Sequence, residues 1–297
     1  IEVNGFVVNY ANKIIVHSDE AKAKLLSRDI GRNVRKIHSY AKIEELKDTA
    51  AAKAELGIAS DQIVFASFGH VQMTKRAMPI LKAFHRLHAK YQNVHYYFVG
   101  SPGPTIRDEL YEYIKTNHLE DCVTITGYVE LDEFTRYIDA TDLCLNLRYP
   151  SNGETSGSLM RILAKGKCVM VNDAGSFHEL PDDCCVKIPS AETMTGRLEI
   201  ERIYLEFERL LSDNGRLEQY CRNARKFAEQ YLDLKKIATQ YAAFIMDHHK
   251  PSLTEEMLGR ISKEIGTKSY TSYQIEQLGR TLTYSKNPEP SFKEEIQ

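Results

Sequence analysis

The chain has 297 residues, 42% of them hydrophobic and 27% charged, enough for one large domain or two smaller ones with a buried core. A formal net charge of −2 and a pI of about 6.6 exclude a surface built to wrap nucleic acid, so any anion site must be local. No apolar run is long enough to span a bilayer and no signal peptide is visible, while the six cysteines form no CxxC pair and read as reduced core thiols of a cytosolic protein. No His/Cys cluster has ligand spacing, so neither a metal nor a cofactor is expected.

In chain order, NGFVVNYA ends a helix and KIIVHS (13–18) is a short apolar strand. Ser18 caps a helix over DEAKAKLLSRDI, and VRKIHSY (34–40) is a second strand. This opening is one βαβ unit, which buries too little to stand alone. The chain opens on Ile1, and the expectation is that it starts within a domain. Residues 41–60 form a polar, helix-prone connector with Gly57 as a helix stop.

A regular alternation follows. The strands are DQIVFASFG (61–69), VHYYFVG (94–100), CVTITGYV (122–129), DLCLNLR (142–148), CVMVND (168–173) and CCVKIP (184–189). Between them lie an amphipathic helix over 75–91 with Ile80, Leu81, Phe84 and Leu87 on one face, a helix over 105–119, a helix over 132–141 capped by Asp132, and a helix over 158–166 stopped by Gly166. Six strands alternating with helices predict a parallel, doubly wound, Rossmann-like α/β sheet. Residues 197–247 read as helical up to Pro251, and 252–297 as a charged tail, helical or disordered.

In such sheets ligands bind beyond the carboxyl ends of the strands. The polar, glycine-rich loops 69–75, 100–105, 127–130, 148–157 and 173–180 all fall at such ends and make one crevice. In RYPSNGETSGSLMRILAKGK (148–167) a loop of small residues leads into a helix starting near Ser156 to Ser158, where free backbone amides and the positive dipole end suit a phosphate. Glu154, at the mouth of the loop, can accept hydrogen bonds from sugar hydroxyls; an ordinary strand–helix loop with Ser and Thr caps fits the same residues. In SFGHVQMTKRA (67–77), Gly69 ends a strand and Lys75 and Arg76 open the next helix, where cations neutralise a diphosphate or form a solvated pair. In NDAGSFHELPDD (172–183), Gly175 permits a tight turn and Glu179 follows a strand end, either as a site residue or as a surface carboxylate. Glu154 and Glu179 as a hydrolase's carboxylate pair rank lower, because both share loops with phosphate-binding features.

The ordered set of a first-strand glycine followed by Lys75 and Arg76, YFVG, VTITGYV, ATDLCLNLRYPSNGETSGSL and GSFHELP resembles glycosyltransferase family 4, the retaining family of the GT-B fold, and among it bacterial members that build surface polysaccharides. The resemblance covers residues 60–245 or so. It implies that residues 1–42 end an N-terminal Rossmann-like domain, that 43–250 form the nucleotide-sugar-binding GT-B domain, and that 251–297 are a helical or disordered tail or linker. It implies that Lys75 contacts the donor diphosphate, that backbone amides from Thr155 through Ser156 and Gly157 to Ser158 hold the distal phosphate, and that Glu154 lies near the transferred sugar. The strand end with Gly127, Tyr128 and Val129 would flank the base, with Gly69, His70, Arg161 and Glu179 as further donor contacts. Two positions depart from the family pattern. Its second helix carboxylate is missing, with Arg161 near that position and Ile162 eight residues after Glu154. His70 stands where many members place Arg after the first-strand glycine, with Arg76 as the substitute cation.

The implied activity is metal-independent, retaining transfer of a sugar from a nucleoside-diphosphate donor to a glycan or lipid-linked acceptor in surface polysaccharide synthesis. The implied location is the cytoplasm, at the inner face of the membrane through the missing domain, with no nucleic acid partner. A non-catalytic nucleotide-sugar-binding module of a larger assembly protein is the alternative.

Overall fold

Short runs of β-branched and aromatic residues ending at glycine or a polar loop form the strands. In the computed structural model, which describes residues 11, 13–27, 33–151 and 153–247, β1 (Ile14–Val16) and β2 (Val34–Lys36) pair in parallel across helix α1 (Asp19–Leu26). Ser18 caps α1, its Oγ accepting from the Ala21 amide at 3.1 Å, as the sequence predicts.

The main sheet contains β3 (Ile63–Phe68), β4 (Val94–Val99), β5 (Val123–Ile125), β6 (Leu143–Asn146), β7 (Cys168–Asn172) and β8 (Val186–Ile188). The order is β5-β4-β3-β6-β7-β8 and every pairing is parallel, the expected doubly wound sheet. Side chains alternate between two apolar layers. Phe65 and Met170 join Phe84, Tyr96, Phe98 and Phe207 on one face, while Ala66, Phe68, Val169 and Val171 pack with Leu159 and Leu163 on the other.

The crossover helices are α2 (Thr49–Glu55, in the connector), α3 (Ala77–His88), α4 (Pro104–Thr116), α5 (Leu131–Ala140) and α6 (Gly157–Ala164). Three helices follow: α7 (Gly196–Ser212), α8 (Asn214–Tyr231) and α9 (Leu234–Met246). Gly57 and Gly166 lie just past α2 and α6 with φ of +69° and +60°, the left-handed conformation that closes a helix with least strain in glycine. Two expected starts are corrected. Asp132 lies within the first turn of α5 rather than at its cap, because the helix already begins at Leu131. The helix expected from residue 75 begins at Ala77, because Met73–Lys75 form a separate 3-10 turn and Arg76 takes φ +58°.

The chain divides into two units, residues 1–245 and 246–297. The tail expected at 251–297 and most of the helix end expected at 4–11 lie outside the described residues. All six cysteines are free thiols, five of them buried. Among the described residues no helix is long and apolar enough to cross a membrane.

The strand order places the crevice. From β3 the sheet grows through β4 and β5 on one side and returns through β6, β7 and β8 on the other. The switch point therefore lies between the carboxyl ends of β3 and β6. The loops leaving these two strands carry Lys75 and Glu154.

Candidate functional site

On the β3 side, Gly69 takes φ +82°, and a Cβ built on it would lie 3.1 Å from Lys75 Nζ. The 3-10 turn folds Lys75 back over this glycine, and its ammonium donates to the Phe68 carbonyl at 2.9 Å. Among the described residues no carboxylate pairs with it. Burial, with the nearby Arg148 charge adding to it, pulls the Lys75 ammonium down to about 8. His70 turns the other way: a Cβ on Gly103, at the start of α4, would meet its Nε2 at 3.3 Å.

Arg76, expected from the sequence as a second cation of the crevice, is ion-paired, and its guanidinium also lies 5.7 Å from the Tyr149 ring centroid. Its left-handed backbone aims the guanidinium at α7, where Nε donates to Glu199 Oε1 at 2.8 Å and Nη2 donates to Glu199 Oε2. Glu199 is 0% exposed, so the fork is committed to a buried carboxylate.

On the β6 side, the Tyr149 amide donates to the Thr74 carbonyl at 2.8 Å, clasping the loop after β6 to the turn that carries Lys75. The Arg148 amide donates to Asn172 Oδ1 at 2.6 Å, and Asn172 is fully buried at the end of β7. Arg148 Nη1 donates to Glu154 Oε1 at 2.7 Å. The Glu154 carbonyl accepts from Ser176 Oγ at 2.8 Å, which ties this loop to the one after β7.

Helix α6 begins where the sequence predicts. Ser156 is its cap, with Oγ accepting from the Leu159 amide at 3.3 Å and contacting Ser158 Oγ at 3.0 Å. The Met160 amide donates to the Ser156 carbonyl at 3.2 Å. The exposed Gly157 amide and that of Ser158 form the first-turn donor pair at the positive end of the helix, where an anion is favoured. Thr155 borders a small recess shared with His17, His38, Ser176, Phe177 and Glu179.

Arg161 lies one turn into α6, with Nη1 donating to the Gly157 carbonyl at 3.3 Å. It lines a cavity of about 820 Å³ with Gly157, Leu131, Asp132 and Arg136. Gly127 (φ +74°), Tyr128 and Val129 lead into α5 beside it; β5 ends at Ile125, so all three lie beyond the strand rather than within it. Tyr128 is 77% exposed and Val129 packs against the core layer beneath.

Glu179 has long-range partners as well. Its carboxylate accepts from the Asp19 amide at 2.9 Å and the Glu20 amide at 3.0 Å, and from Lys36 Nζ at 2.6 Å. Burial pushes this carboxyl up, but the amide and ammonium donors outweigh it and hold it below its ordinary value. Glu179 therefore anchors the first turn of α1 and the β1–β2 unit while lining the recess beside Thr155 and Ser176.

The fold thus clasps the Lys75 turn to the loop after β6 through Tyr149 and Thr74, pairs Glu154 of that loop with Arg148, starts α6 at Ser156–Ser158, sets Arg161 in the cavity wall, and gives Arg76 and Glu179 long-range ion-pair partners in Glu199 and Lys36. Sequence reasoning misses Arg148, although its place directly after an apolar strand is the available signal. It also misses Glu199, whose partner is 123 residues away. Among the described residues no group of three or more His, Cys, Asp or Glu side chains is placed to hold a metal ion.

With this geometry in place, the chain can be compared with known proteins. Residues 61–199 match the family model described as glycosyl transferases group 1. That matched domain runs from β3 into the first turn of α7 and contains every crevice residue named above. The curated proteins include no match to this chain. Among solved structures, the sucrose-phosphate synthase of Thermosynechococcus elongatus aligns with a TM-score of 0.66 at 18% identity, covering 82% of this chain and 59% of that one. HepE of Anabaena, solved with UDP and glucose, aligns with a TM-score of 0.68 at 18% identity, covering 83% and 66%. The C-terminal domain of a glycosyl transferase group 1 family protein, LpcC of Francisella tularensis, aligns with a TM-score of 0.56 at 15% identity, covering 65% and 96%. The parallel six-stranded sheet flanked by helices is thus the Rossmann-like fold of GT-B glycosyltransferases, and the chain spans 59% of the synthase and 66% of HepE.

Proposed function

We propose that this chain binds a nucleoside-diphosphate sugar at the β3–β6 switch point and serves the retaining transfer of its sugar, in the manner of glycosyltransferase family 4, to a glycan or lipid-linked acceptor of surface polysaccharide assembly. The observation that carries this reading is the Lys75 ammonium. It is held down to about 8 by burial, is bonded to a carbonyl, and has the Arg148 charge nearby. A protein that buries a cation in this way, at a strand-end crevice lined by a helix N-terminus, stabilises an anion there. The neighbours solved with UDP, UDP and glucose, or UDP-glucose support a nucleotide sugar as that anion.

In this reading, residues 43–250 are the donor domain, which fits the near-complete coverage of the LpcC C-terminal domain, and 1–42 end a partner Rossmann-like domain. The diphosphate lies against Lys75 and the Gly157 and Ser158 amides. The base and ribose extend into the cavity beside Arg161 and Gly127–Val129. Glu154 faces the sugar. As the bond between the anomeric carbon and the phosphate oxygen breaks, charge grows on the leaving diphosphate, where the ammonium and the helix end are already fixed. The acceptor oxygen then bonds to the same face of the anomeric carbon, and its proton leaves with the diphosphate. The cytoplasmic face of the membrane, where such donors and lipid-linked acceptors meet, is the proposed location.

The test is calorimetric titration of the full chain with UDP, GDP, dTDP and ADP, beside Lys75→Met. Binding of one of them, weakened on the order of 10²-fold in the variant, is the expected result. Equal binding by parent and variant, or binding by neither, refutes the reading. Incubation with the sugar derivative of the nucleotide that binds then separates transfer from a binding-only module.

A further inference from the structure

One requirement of the donor site is unmet by the residues the sequence singles out. A diphosphate carries at least two negative charges, and Lys75 supplies one positive charge. His70 packs towards α4, and Arg76 is committed to the buried Glu199. A second cation is present, however. Arg148 lies two residues past the end of β6, across the switch point from Gly69. Its backbone is fixed at both ends of the residue: its own amide donates to Asn172 Oδ1 at 2.6 Å, and the next amide, of Tyr149, donates to the Thr74 carbonyl at 2.8 Å. The second bond sets the residue beside the turn that carries Lys75.

The guanidinium is incompletely used. Nη1 donates to Glu154 Oε1 at 2.7 Å, while Nε is buried and has no partner. The side chain is 15% exposed, against 33% for Glu154. Lys75, bonded to a carbonyl, and Arg148, paired with one carboxylate, thus leave a surplus of positive charge and an unused donor in a partly desolvated crevice. A guanidinium bonds two phosphate oxygens at once through its fork, which a lone ammonium cannot do. Glu154 is the more exposed partner, and the Arg148 backbone is held at its own amide and the next.

We infer that Arg148 is the second diphosphate-binding cation and that Glu154 is its placeholder. Donor binding moves the fork from Glu154 to the phosphate oxygens and releases the Glu154 carboxylate to accept from hydroxyls of the donor sugar. This exchange rests on the donor-site reading and adds a consequence to it: a nucleoside diphosphate must compete with Glu154 for Arg148, whereas the complete donor gives the displaced carboxylate new partners. The sugar is thereby recognised through the phosphate site.

The exchange is tested by titrating the full chain and its Arg148→Gln, Arg148→Lys, Glu154→Gln and Lys75→Met variants with UDP, GDP, dTDP and ADP, and with the sugar derivative of the nucleotide that binds. Arg148→Gln should weaken the diphosphate on the order of 10²-fold, and Arg148→Lys, which keeps the charge but loses the fork, by about tenfold. Glu154→Gln should tighten the bare diphosphate by about tenfold while removing the preference for the sugar derivative. An ion pair that only braces the loop would give no tightening. If Lys75→Met loses binding but Arg148→Gln does not, or if Glu154→Gln weakens the bare diphosphate, the Arg148 inference fails and the donor-site reading stands. If the parent binds none of the four, or if Lys75→Met binds as the parent does, both fail together.

Discussion

Replacing Arg76 with Met should unsettle the fold while leaving the crevice intact. The Glu199 side chain is 1% exposed, against 21% for Arg76, and the guanidinium supplies two donors to it. Removing the guanidinium leaves a carboxylate inside the contact between α3 and α7 with its charge uncompensated, a loss of about 3–5 kcal/mol for a buried pair broken on one side. At about 2–4 °C per kcal/mol for a domain of this size, Tm should fall by roughly 6–20 °C. Replacing both partners, Arg76→Met with Glu199→Leu, should recover most of that loss, because two apolar side chains then fill the space without a stranded charge. Differential scanning fluorimetry reads the melting, and calorimetric titration reads nucleotide affinity in the same variants, which should stay within about twofold of the parent. A Tm within about 2 °C of the parent for Arg76→Met would show that the pair is not holding the two helices together. A loss of affinity on the order of 10²-fold at unchanged Tm would return Arg76 to the diphosphate site.

The Lys75 ammonium predicts a pH signature for binding. With its pKa pulled down to about 8, it carries its charge fully only below that pH, so affinity for a nucleoside diphosphate should fall as the pH rises above 8. The bound anion restores the charge, so binding at pH 9 should take up about 0.9 proton, readable by calorimetry in buffers of different ionisation enthalpy and absent in Lys75→Met. A pH-independent affinity between 7 and 9.5 would contradict the buried ammonium. For Glu179, replacement by Ala removes the acceptor of two α1 amides and of Lys36, a loss of about 1–2 kcal/mol. Hydrogen exchange in Asp19–Leu26 should quicken several-fold while nucleotide affinity holds, and the reverse pattern would place Glu179 in the crevice. Because this carboxyl is held below its ordinary value of 4.5, its contribution is complete above that pH in the parent and lost as the pH falls through the lowered native value.

The alternation of strands and helices was legible because each strand is a run whose period-two faces are both apolar, and because glycine marks the exits. Gly57, Gly69, Gly127 and Gly166 all take positive φ. The start of α6 was legible for a local reason: Ser156 caps its own helix, and capping is a matter of three residues. The turn at Met73–Lys75 was not, because amphipathic periodicity continues through Lys75 and Arg76 and nothing in their identity announces a left-handed arginine. Arg76 adopts φ +58° because a carboxylate 123 residues away rewards the aim it gives the guanidinium. Glu179 shows the same limit from the carboxylate's side. Its place at a strand end made it a candidate for the crevice, but the amides it accepts from belong to α1, 160 residues earlier.

Arg76 and Glu179 share one feature that bears on the proposed donor site. A side chain's residue type and strand-end position define what it can bond, while the long-range partner decides what it does bond. Arg76 holds a buried carboxylate beside the Tyr149 ring, and Glu179 holds Lys36 and two α1 amides at the recess beside Thr155. Lys75 has a carbonyl and Arg148 a single carboxylate contact with Nε left over, and both remain at the switch point. In a chain of net charge −2, selectivity for a diphosphate cannot come from the overall field. In the proposed donor site it comes from charges whose bonding is unfinished, which among the described residues of the crevice are Lys75 and Arg148 at the ends of β3 and β6.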